Sequence, residues 1–153
     1  KKMKNKETID FIQRAKKATF ASKTAKPVKT KDNGLEYTYE ERPLPYKDKY
    51  FGYFTDAGQE VVWYNETPIW SMSYRGGMLS HEDLSSRCFS FLKQCLQRFP
   101  EDFPVRGPKN YEEGDFRYEN EWEGDINSFS GKEKIFWKGE QIYFRNYLGG
   151  IIK

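Results

Sequence analysis

The chain has a single histidine, His81, and only two cysteines among its 153 residues. One histidine excludes a metal site built from several imidazoles and leaves no evident base for a nucleophilic triad. The glycine pairs at 76–77 and 149–150 lie outside any GxxxxGK phosphate loop. No apolar run is long enough for a signal peptide or a membrane span. We therefore expect no metal or other cofactor, no membrane association and no catalytic residues.

The two cysteines, Cys88 and Cys95, lie seven residues apart in a segment typical of a helix. That spacing puts them on one face but about 10 Å apart, because each residue adds about 1.5 Å to a helix. A disulfide requires a shorter separation between the two Cα atoms. We expect two buried structural thiols, and free thiols in a chain without a visible signal peptide indicate a cytoplasmic protein.

Charge is spread unevenly along the chain. The net charge is +3, but residues 1–31 hold ten lysines and one arginine against Glu7 and Asp10, which leaves +9 there and −6 on the remainder. A basic arm on an acidic body can contact nucleic acid or an acidic partner. No DNA-reading element or base-stacking motif accompanies this arm. We therefore expect a solvated N-terminal arm without direct nucleic-acid binding.

One sequence pattern occurs twice. Residues 58–79 align with residues 131–152 without a gap, at an offset of 73. Six of the 22 aligned pairs are identical, and most of the others keep the same physical class. An offset near half the chain length predicts two pseudo-symmetric halves, with the seam between them as the first candidate for a site. The identical pairs are Gly58/Gly131, Glu60/Glu133, Ile69/Ile142, Tyr74/Tyr147, Gly76/Gly149 and Gly77/Gly150.

A helix is expected at the start of each half. In the first half, residues 6–19 place Ile9 and Ile12 on one side at helical spacing. In the second half, Ser80 is the expected N-cap and Pro100 marks the end of the helix. The second helix carries an apolar stripe that should face the core, formed by Leu84, Cys88, Phe91, Leu92, Cys95, Leu96 and Phe99.

Strands are expected after each helix. Alternating aromatic and polar residues, and then a short aromatic stretch ending in glycine, occur in both halves, at 36–41 and 50–52 and at 115–120 and 122–124. The first half has additional residues at 42–45, which we interpret as an insertion. The aligned segments themselves predict hairpins around Asn65-Glu66 and around Lys138-Gly139.

Together these elements predict an α+β fold with a mainly antiparallel sheet and two helices, built from two pseudo-symmetric helix-strand-hairpin repeats. We expect a single domain over residues 1–153, with repeat one at about 6–79 and repeat two at about 80–152. A chain of this length can bury a sizeable core without disulfides.

The last strand of each repeat carries an aromatic ladder. Trp70, Met72 and Tyr74 share one face, because side chains alternate along a strand, and their counterparts are Tyr143, Arg145 and Tyr147. If this face points inward, Arg145 needs a ligand anion or a carboxylate such as Glu60 or Glu133, since an unpaired buried guanidinium is strongly unfavourable. If the face points outward, Arg145 is an ordinary solvent-facing residue. Both orientations remain open.

Aromatic residues make up 18% of the chain, and they either fill a core or line a cavity. The two equivalent glutamates either approach each other near a pseudo-twofold axis or serve as strand-entry carboxylates. Taking the cavity and the axis as the working hypothesis, the candidate ligand-binding residues are Glu60, Trp63, Trp70, Tyr74, Glu133, Trp137, Tyr143, Arg145 and Tyr147.

Several stretches carry a family resemblance: FGYFTDAGQEVVW, IWSMSYRGG, the segment from FPVRGPKNYEEGDF to KGEQIY, and YLGG. From about Thr8 to the C-terminus the chain resembles a family of small bacterial domains of unknown function. Members occur alone or after an XRE-type helix-turn-helix region in transcriptional regulators. The resemblance implies a sensor role and assigns no site residues.

The sequence favours a non-enzymatic module that binds an unidentified small molecule, as sensor or effector domains do. The alternative is a protein-interaction or dimerisation module of the inhibitor or immunity type, with a protein partner or a homodimer. A carboxylate-based hydrolase is the third hypothesis, because 23 acidic residues supply many candidate pairs.

Overall fold

The computed structural model describes residues 3–153, and this part of the chain forms two α-helices and one sheet of nine strands. The helices are α1 (Asn5–Ala18) and α2 (Ser85–Leu96), and a 3-10 turn at Glu82–Leu84 precedes α2. The first half supplies β1 (Val28–Lys29), β2 (Leu35–Glu41), β3 (Leu44–Gly52), β4 (Thr55–Tyr64) and β5 (Thr67–Met78). The second half supplies β6 (Asn110–Glu113), β7 (Phe116–Asp125), β8 (Ser128–Trp137) and β9 (Glu140–Ile151).

The strands lie in the order β1-β2-β3-β4-β5-β9-β8-β7-β6, and every neighbouring pair is antiparallel. The last strands of the two halves, β5 and β9, therefore pair with each other at the centre, where Tyr74 lies opposite Tyr147. The expected mainly antiparallel sheet with two helices is confirmed. Neither helix in the described range is long and apolar enough to cross a membrane.

Both helices pack on one face of the sheet. Phe11, Ile12 and Ala15 of α1 join an apolar cluster with Val62 and Trp70 of β4 and β5. On the same face, α2 places its buried stripe over β7, β8 and β9, in a cluster that contains Cys88, Leu92, Cys95, Phe116, Ile135, Ile142 and Tyr143. The opposite face carries exposed side chains such as Lys132 and Lys134. Because side chains alternate along each strand, one face of the sheet is core and the other faces solvent.

The segments that follow the two helices exchange sides. Ala21, after α1, belongs to the cluster under α2, whereas Phe103 and Val105, after α2, belong to the cluster under α1. Gln97 donates a hydrogen bond of 2.7 Å to the carbonyl oxygen of Ala21. These crossings connect the apolar clusters that lie under α1 and α2.

The first predicted helix is confirmed, and because it buries Phe11, Ile12 and Ala15, the expectation of a solvated N-terminal arm is wrong for this helix. The predicted start of the second helix is wrong. The α-helix begins at Ser85, after His81 has adopted a left-handed backbone conformation with φ of 56°. Ser80 does not cap it, because its hydroxyl hydrogen-bonds the carboxylate of Glu140 at 3.2 Å. The apolar stripe is buried as predicted from Leu84 to Leu96.

Both predicted hairpins are confirmed, with Asn65 and Lys138 at positive φ in the turns. The proposed equivalence of strands 36–41 and 115–120 is wrong, because the first is β2, three strands out from β5, and the second lies in β7, two strands out from β9. Their sequences look alike because each strand has one buried face. The short stretches at 50–52 and 122–124 are the ends of the longer strands β3 and β7.

Candidate functional site

A buried polar cluster lies under α1 on β3 and β4. Glu60, 2% exposed, accepts hydrogen bonds from the Tyr46 hydroxyl at 2.6 Å and from the Lys16 Nζ at 3.1 Å. Lys16 reaches this position from the inner side of α1 and also donates to the carbonyl oxygen of Val105. Burial lowers the pKa of Lys16, while the charge of Glu60 opposes that change. The cluster thus provides hydrogen-bond partners for a lysine and a glutamate that would otherwise be buried unpaired under the helix.

A second polar cluster occupies the matching part of β7 and β8. Glu133, 1% exposed, receives two hydrogen bonds from the Arg106 guanidinium, at 2.9 and 2.8 Å. The hydroxyls of Tyr118 and Tyr143 add bonds of 2.5 and 3.0 Å. Burial raises the pKa of Glu133, but the charges of Arg106 and Arg145 and the hydrogen bonds from Arg106 and Tyr118 together hold that pKa below its usual value. This carboxylate is therefore fixed in its ionised form.

Arg145 links the two halves of the sheet. Its guanidinium donates two hydrogen bonds, of 2.7 and 2.8 Å, to the carboxylate of Asp56 on β4, although β5 lies between their strands. Gly76 of β5 sits between them in register, opposite both Asp56 and Arg145. A Cβ atom on Gly76 would lie 2.8 Å from the Cβ of Arg145. The absence of a side chain on β5 therefore lets Arg145 reach across to Asp56.

A cavity of about 630 Å³ opens between α2 and strands β2 to β5, next to this ion pair. Its volume falls in the range of about 300–1,000 Å³ that is usual for small-molecule sites. Aromatic rings and a few charged groups line it. The aromatic residues are Phe20, Tyr37, Tyr50, Tyr53, Tyr74 and Phe89, and the charged residues are Lys23, Asp48, Asp56, Lys93, Arg98, Arg106 and Arg145.

Asp48 is the most unusual group in the lining. It is 4% exposed, and its Oδ1 accepts a hydrogen bond from the Tyr74 hydroxyl. Within residues 3–153 its Oδ2 has no hydrogen-bond donor, and no cationic nitrogen lies within 4.0 Å of the carboxyl. Burial, together with the charge of Glu60, raises the pKa of Asp48 from 3.8 to about 7. The group can therefore change its charge near neutral pH, in contact with the cavity.

Two of the nine candidate residues, Tyr74 and Arg145, line this cavity. Trp70, Tyr143 and Tyr147 are buried in the packed interior, and Glu60 and Glu133 lie in the two polar clusters. The two aromatic ladders of β5 and β9 do not face each other across a cavity. They lie side by side on one face of the sheet, because β5 and β9 are hydrogen-bonded neighbours.

Trp63 and Trp137 lie apart from the other candidates, at the far ends of β4 and β8, and both are half-buried. The imidazole of His81 tilts over the Trp137 ring at 5.5 Å, and the Lys138 ammonium lies 4.6 Å from it. Trp137 Nε1 is buried without a hydrogen-bond partner in the described part of the chain. Neither tryptophan reaches the cavity.

Sequence reasoning missed Asp48, Asp56 and Lys93 as lining residues. One signal for Asp48 was present, because it alternates with Tyr46 and Tyr50 and so shares their inward face, as Arg145 does between two tyrosines. Lys93 had no such signal, since its role depends on where α2 lies relative to β2 and β3. Over residues 3–153 there is no group of three or more His, Cys, Asp or Glu side chains suited to a metal ion.

The fold and cavity define a mainly β domain with two helices on one face of an open sheet and, beneath one of them, a pocket lined by aromatic and charged residues. A family model described as a domain of unknown function (DUF5680) matches residues 48–152, which is more than half of the chain. The chain belongs to this family. No curated protein and no solved structure matches it.

Proposed function

We propose that this domain is a non-enzymatic small-molecule-binding module, and that the cavity beneath α2 is its binding site. The observation that carries the proposal is a cavity of about 630 Å³ lined by six aromatic and seven charged residues. Such a lining gives a ligand both apolar contact area and polar anchors. The two-point ion pair between Arg145 and Asp56 preorganises one wall.

We also propose that the two halves are pseudo-symmetric. In support, Tyr74 lies opposite Tyr147 at the centre of the sheet, and these positions are separated by the sequence offset of 73. The polar clusters correspond as well, with Glu60 and Glu133 each hydrogen-bonded to a tyrosine of the adjacent strand. On this view the binding cavity lies between the two halves, with α2 of the second half on one side and β2 to β5 of the first half on the other.

A sensor role, in which ligand binding alters a DNA-binding unit or another partner, is the part of the proposal that rests on the resemblance alone. A domain of this kind alters the activity of its partner only if the ligand binds one of two conformations of the domain more tightly than the other. Helix α2 is the element through which that preference would act, because it forms one wall of the cavity and packs on the second half of the sheet.

The test is a thermal-shift screen with a library of neutral, cationic and anionic aromatic fragments. A ligand that binds only the folded state raises Tm. Ser90 of α2 lines the cavity, so Ser90→Trp should fill it and abolish the shifts. The matched control is Ser130→Trp on the exposed face of β8, which should leave them intact. Fragments that bind both variants equally, or no hits at all, would refute the proposal.

Asp48 favours a second candidate, a carboxylate-based hydrolase. A buried carboxyl that holds its proton near neutral pH can donate that proton to a leaving oxygen, while water adds its hydroxyl to the other fragment and returns its remaining proton to the carboxylate. Chromogenic nitrophenyl esters, glycosides and phosphates test it directly. Turnover that disappears in Asp48→Asn would support hydrolysis, whereas background rates with every substrate class would eliminate it.

A further inference from the structure

The proposed binding cavity carries excess positive charge once its internal ion pairs are set aside. Arg145 is paired with Asp56, and Arg106 is paired with Glu133. Three more cations line the cavity without any carboxylate of residues 3–153 within 4.0 Å, namely Lys23, Lys93 and Arg98. Asp48 is the acidic residue of the lining that is not part of an ion pair within residues 3–153. A ligand with negative charge therefore complements this lining better than a cation does.

Lys93 is the best placed of the three cations. It projects from α2 and is half-buried, with its ammonium 5.4 Å from the centre of the Phe20 ring. Burial lowers the pKa of Lys93. Lys23 and Arg98 are exposed, and Arg98 already donates a hydrogen bond to the Gln94 carbonyl oxygen. A partly desolvated ammonium without a counter-ion gains most from a ligand anion.

Aromatic pairs border the same space. Tyr37 and Tyr50 are stacked with ring centres 6.4 Å apart, and Phe20 meets the edge of Tyr37 at 6.3 Å. At the other side, Tyr53 meets Phe89 edge to face at 5.4 Å. Flat rings in these orientations offer faces and edges to a further planar ring.

We infer that the cavity binds a planar aromatic anion, an aryl carboxylate, sulfonate or phosphate, whose ring packs against these aromatic pairs and whose charge meets Lys93. This inference rests on the proposed function and adds the class of ligand. Asp48 tunes the binding, because its ionised form adds a negative charge to the cavity wall and its protonated form removes that charge.

The charged and titratable groups around Asp48 come from every element that packs near it. They are Lys16 of α1, Tyr37 of β2, Tyr46 and Tyr50 of β3, Glu60 of β4, Tyr74 of β5 and Arg106 of the segment after α2. Glu60 opposes ionisation of Asp48, whereas Lys16 and Arg106 favour it. With its pKa raised to about 7, Asp48 changes charge within the pH range in which the protein can be assayed.

A pair of fluorescent dyes that share one ring system tests the inference. Anilinonaphthalene sulfonate carries a permanent negative charge, and phenylnaphthylamine is its neutral counterpart. Each is titrated into the full chain, into Lys93→Met and into Lys132→Met, which removes an exposed lysine from the opposite face of the sheet. Ser90→Trp reports whether either dye lies in the cavity.

We expect Lys93→Met to weaken the sulfonate dye by about tenfold or more and to leave the neutral dye unchanged, since only the charged dye loses a charge-assisted contact. Lys132→Met should change neither. The sulfonate dye should also bind more weakly at about pH 8 than at about pH 6, and Asp48→Asn should abolish that difference. Asn120 of β7 shows that an amide can accept the same tyrosine hydrogen bond, from Tyr147 at 2.6 Å, so this variant should fold.

The outcomes separate the inference from the proposed function. If Ser90→Trp displaces both dyes but Lys93→Met weakens both equally or neither, the cavity binds ligands and the preference for anions is wrong. If Ser90→Trp displaces neither dye, or neither dye binds at all, the cavity is not a binding site and both proposals fail.

Discussion

Two rows of three residues cross the centre of the sheet, each with a glycine in the middle. One row runs Asp56, Gly76, Arg145, and the other runs Phe129, Gly149, Met72. In both, a Cβ atom on the glycine would lie within 3.0 Å of a flanking side chain. The backbone arrangement is the same, but the first row holds an ion pair at the edge of the cavity, while Phe129 and Met72 fill the core under α1.

The space above a central glycine of this sheet accommodates either an ion pair or an apolar pair, and the chemistry of the pair decides whether a ligand can be recognised there. Phe129 and Met72 bury apolar surface and leave nothing for a ligand to recognise. Arg145 and Asp56 hold two oriented hydrogen bonds beside an open space. The same contrast separates Asp48, whose Oδ2 has no donor in residues 3–153, from Asn120, which receives a bond from Tyr147 and donates one to Gly107.

The largest effect is expected from breaking the polar cluster of the second half. Arg106→Met leaves Glu133 buried without its two-point partner, and removing one member of a buried ion pair costs about 3–5 kcal/mol. Lys16→Met in the first half should cost less, because Glu60 loses a single hydrogen bond from a lysine whose pKa burial already lowers. Urea unfolding of the two variants measures the difference. Equal losses would show that the clusters are energetically equivalent.

Replacing the ion pair of the charged row by the apolar pair of the other row tests how much the ion pair contributes to stability. Arg145→Met leaves the Asp56 carboxylate without its cation and should destabilise the fold by about 2–4 kcal/mol. The double variant Asp56→Phe with Arg145→Met copies the other row, so it should recover at least half of that loss. Denaturant midpoints of the two single variants and the double variant complete the cycle. Additive losses would mean that the ion pair is not what couples these positions.

The contribution of Asp48 to stability should depend on pH, unlike that of an asparagine such as Asn120. Its pKa is about 7 in the folded protein against an ordinary value of 3.8, so the folded state binds the proton more tightly. The stabilisation from this proton is complete below about pH 4 and is lost as the pH rises through 7. Between about pH 5 and pH 8 the free energy of unfolding of the wild-type chain should fall by about 2–3 kcal/mol relative to that of Asp48→Asn. If the unfolding free energies of the two chains change in parallel between pH 5 and pH 8, Asp48 does not titrate in this range.

The local parts of this fold could be predicted from the sequence. The stripe from Leu84 to Leu96 and the turns at Asn65 and Lys138 depend on residues near one another in the chain, and all are present. The chemistry of Arg145 could also be predicted for an inward face, since a buried guanidinium requires an anion. Its main partner could not. Asp56 becomes available only because β5 pairs with β9 and Gly76 leaves the path open.

The cavity itself lay beyond sequence reasoning, because it depends on the distance of α2 from strands of the other half. Tyr37, Tyr50 and Lys93 have ordinary core or surface patterns and become a lining only in three dimensions. The aromatic ladders show the converse case. Trp70 and Tyr143 have the composition of a pocket and are packed core residues with no exposed surface.

The smallest effect is expected at the hairpin turns, where the halves differ in a single glycine. Asn65-Glu66 and Lys138-Gly139 all have positive φ, as tight two-residue hairpins require. Glu66, with φ of 67°, bears the steric cost of a left-handed conformation, whereas Gly139 does not. Glu66→Gly should therefore stabilise the protein by about 0.5–1 kcal/mol, and Gly139→Ala should destabilise it by about 1 kcal/mol. Gly139 has no atom within 4 Å of an added Cβ, so contacts cannot explain that loss and only backbone strain can. Thermal unfolding of the two variants measures both signs, and a stabilising Gly139→Ala would show that the turn relaxes out of the left-handed region.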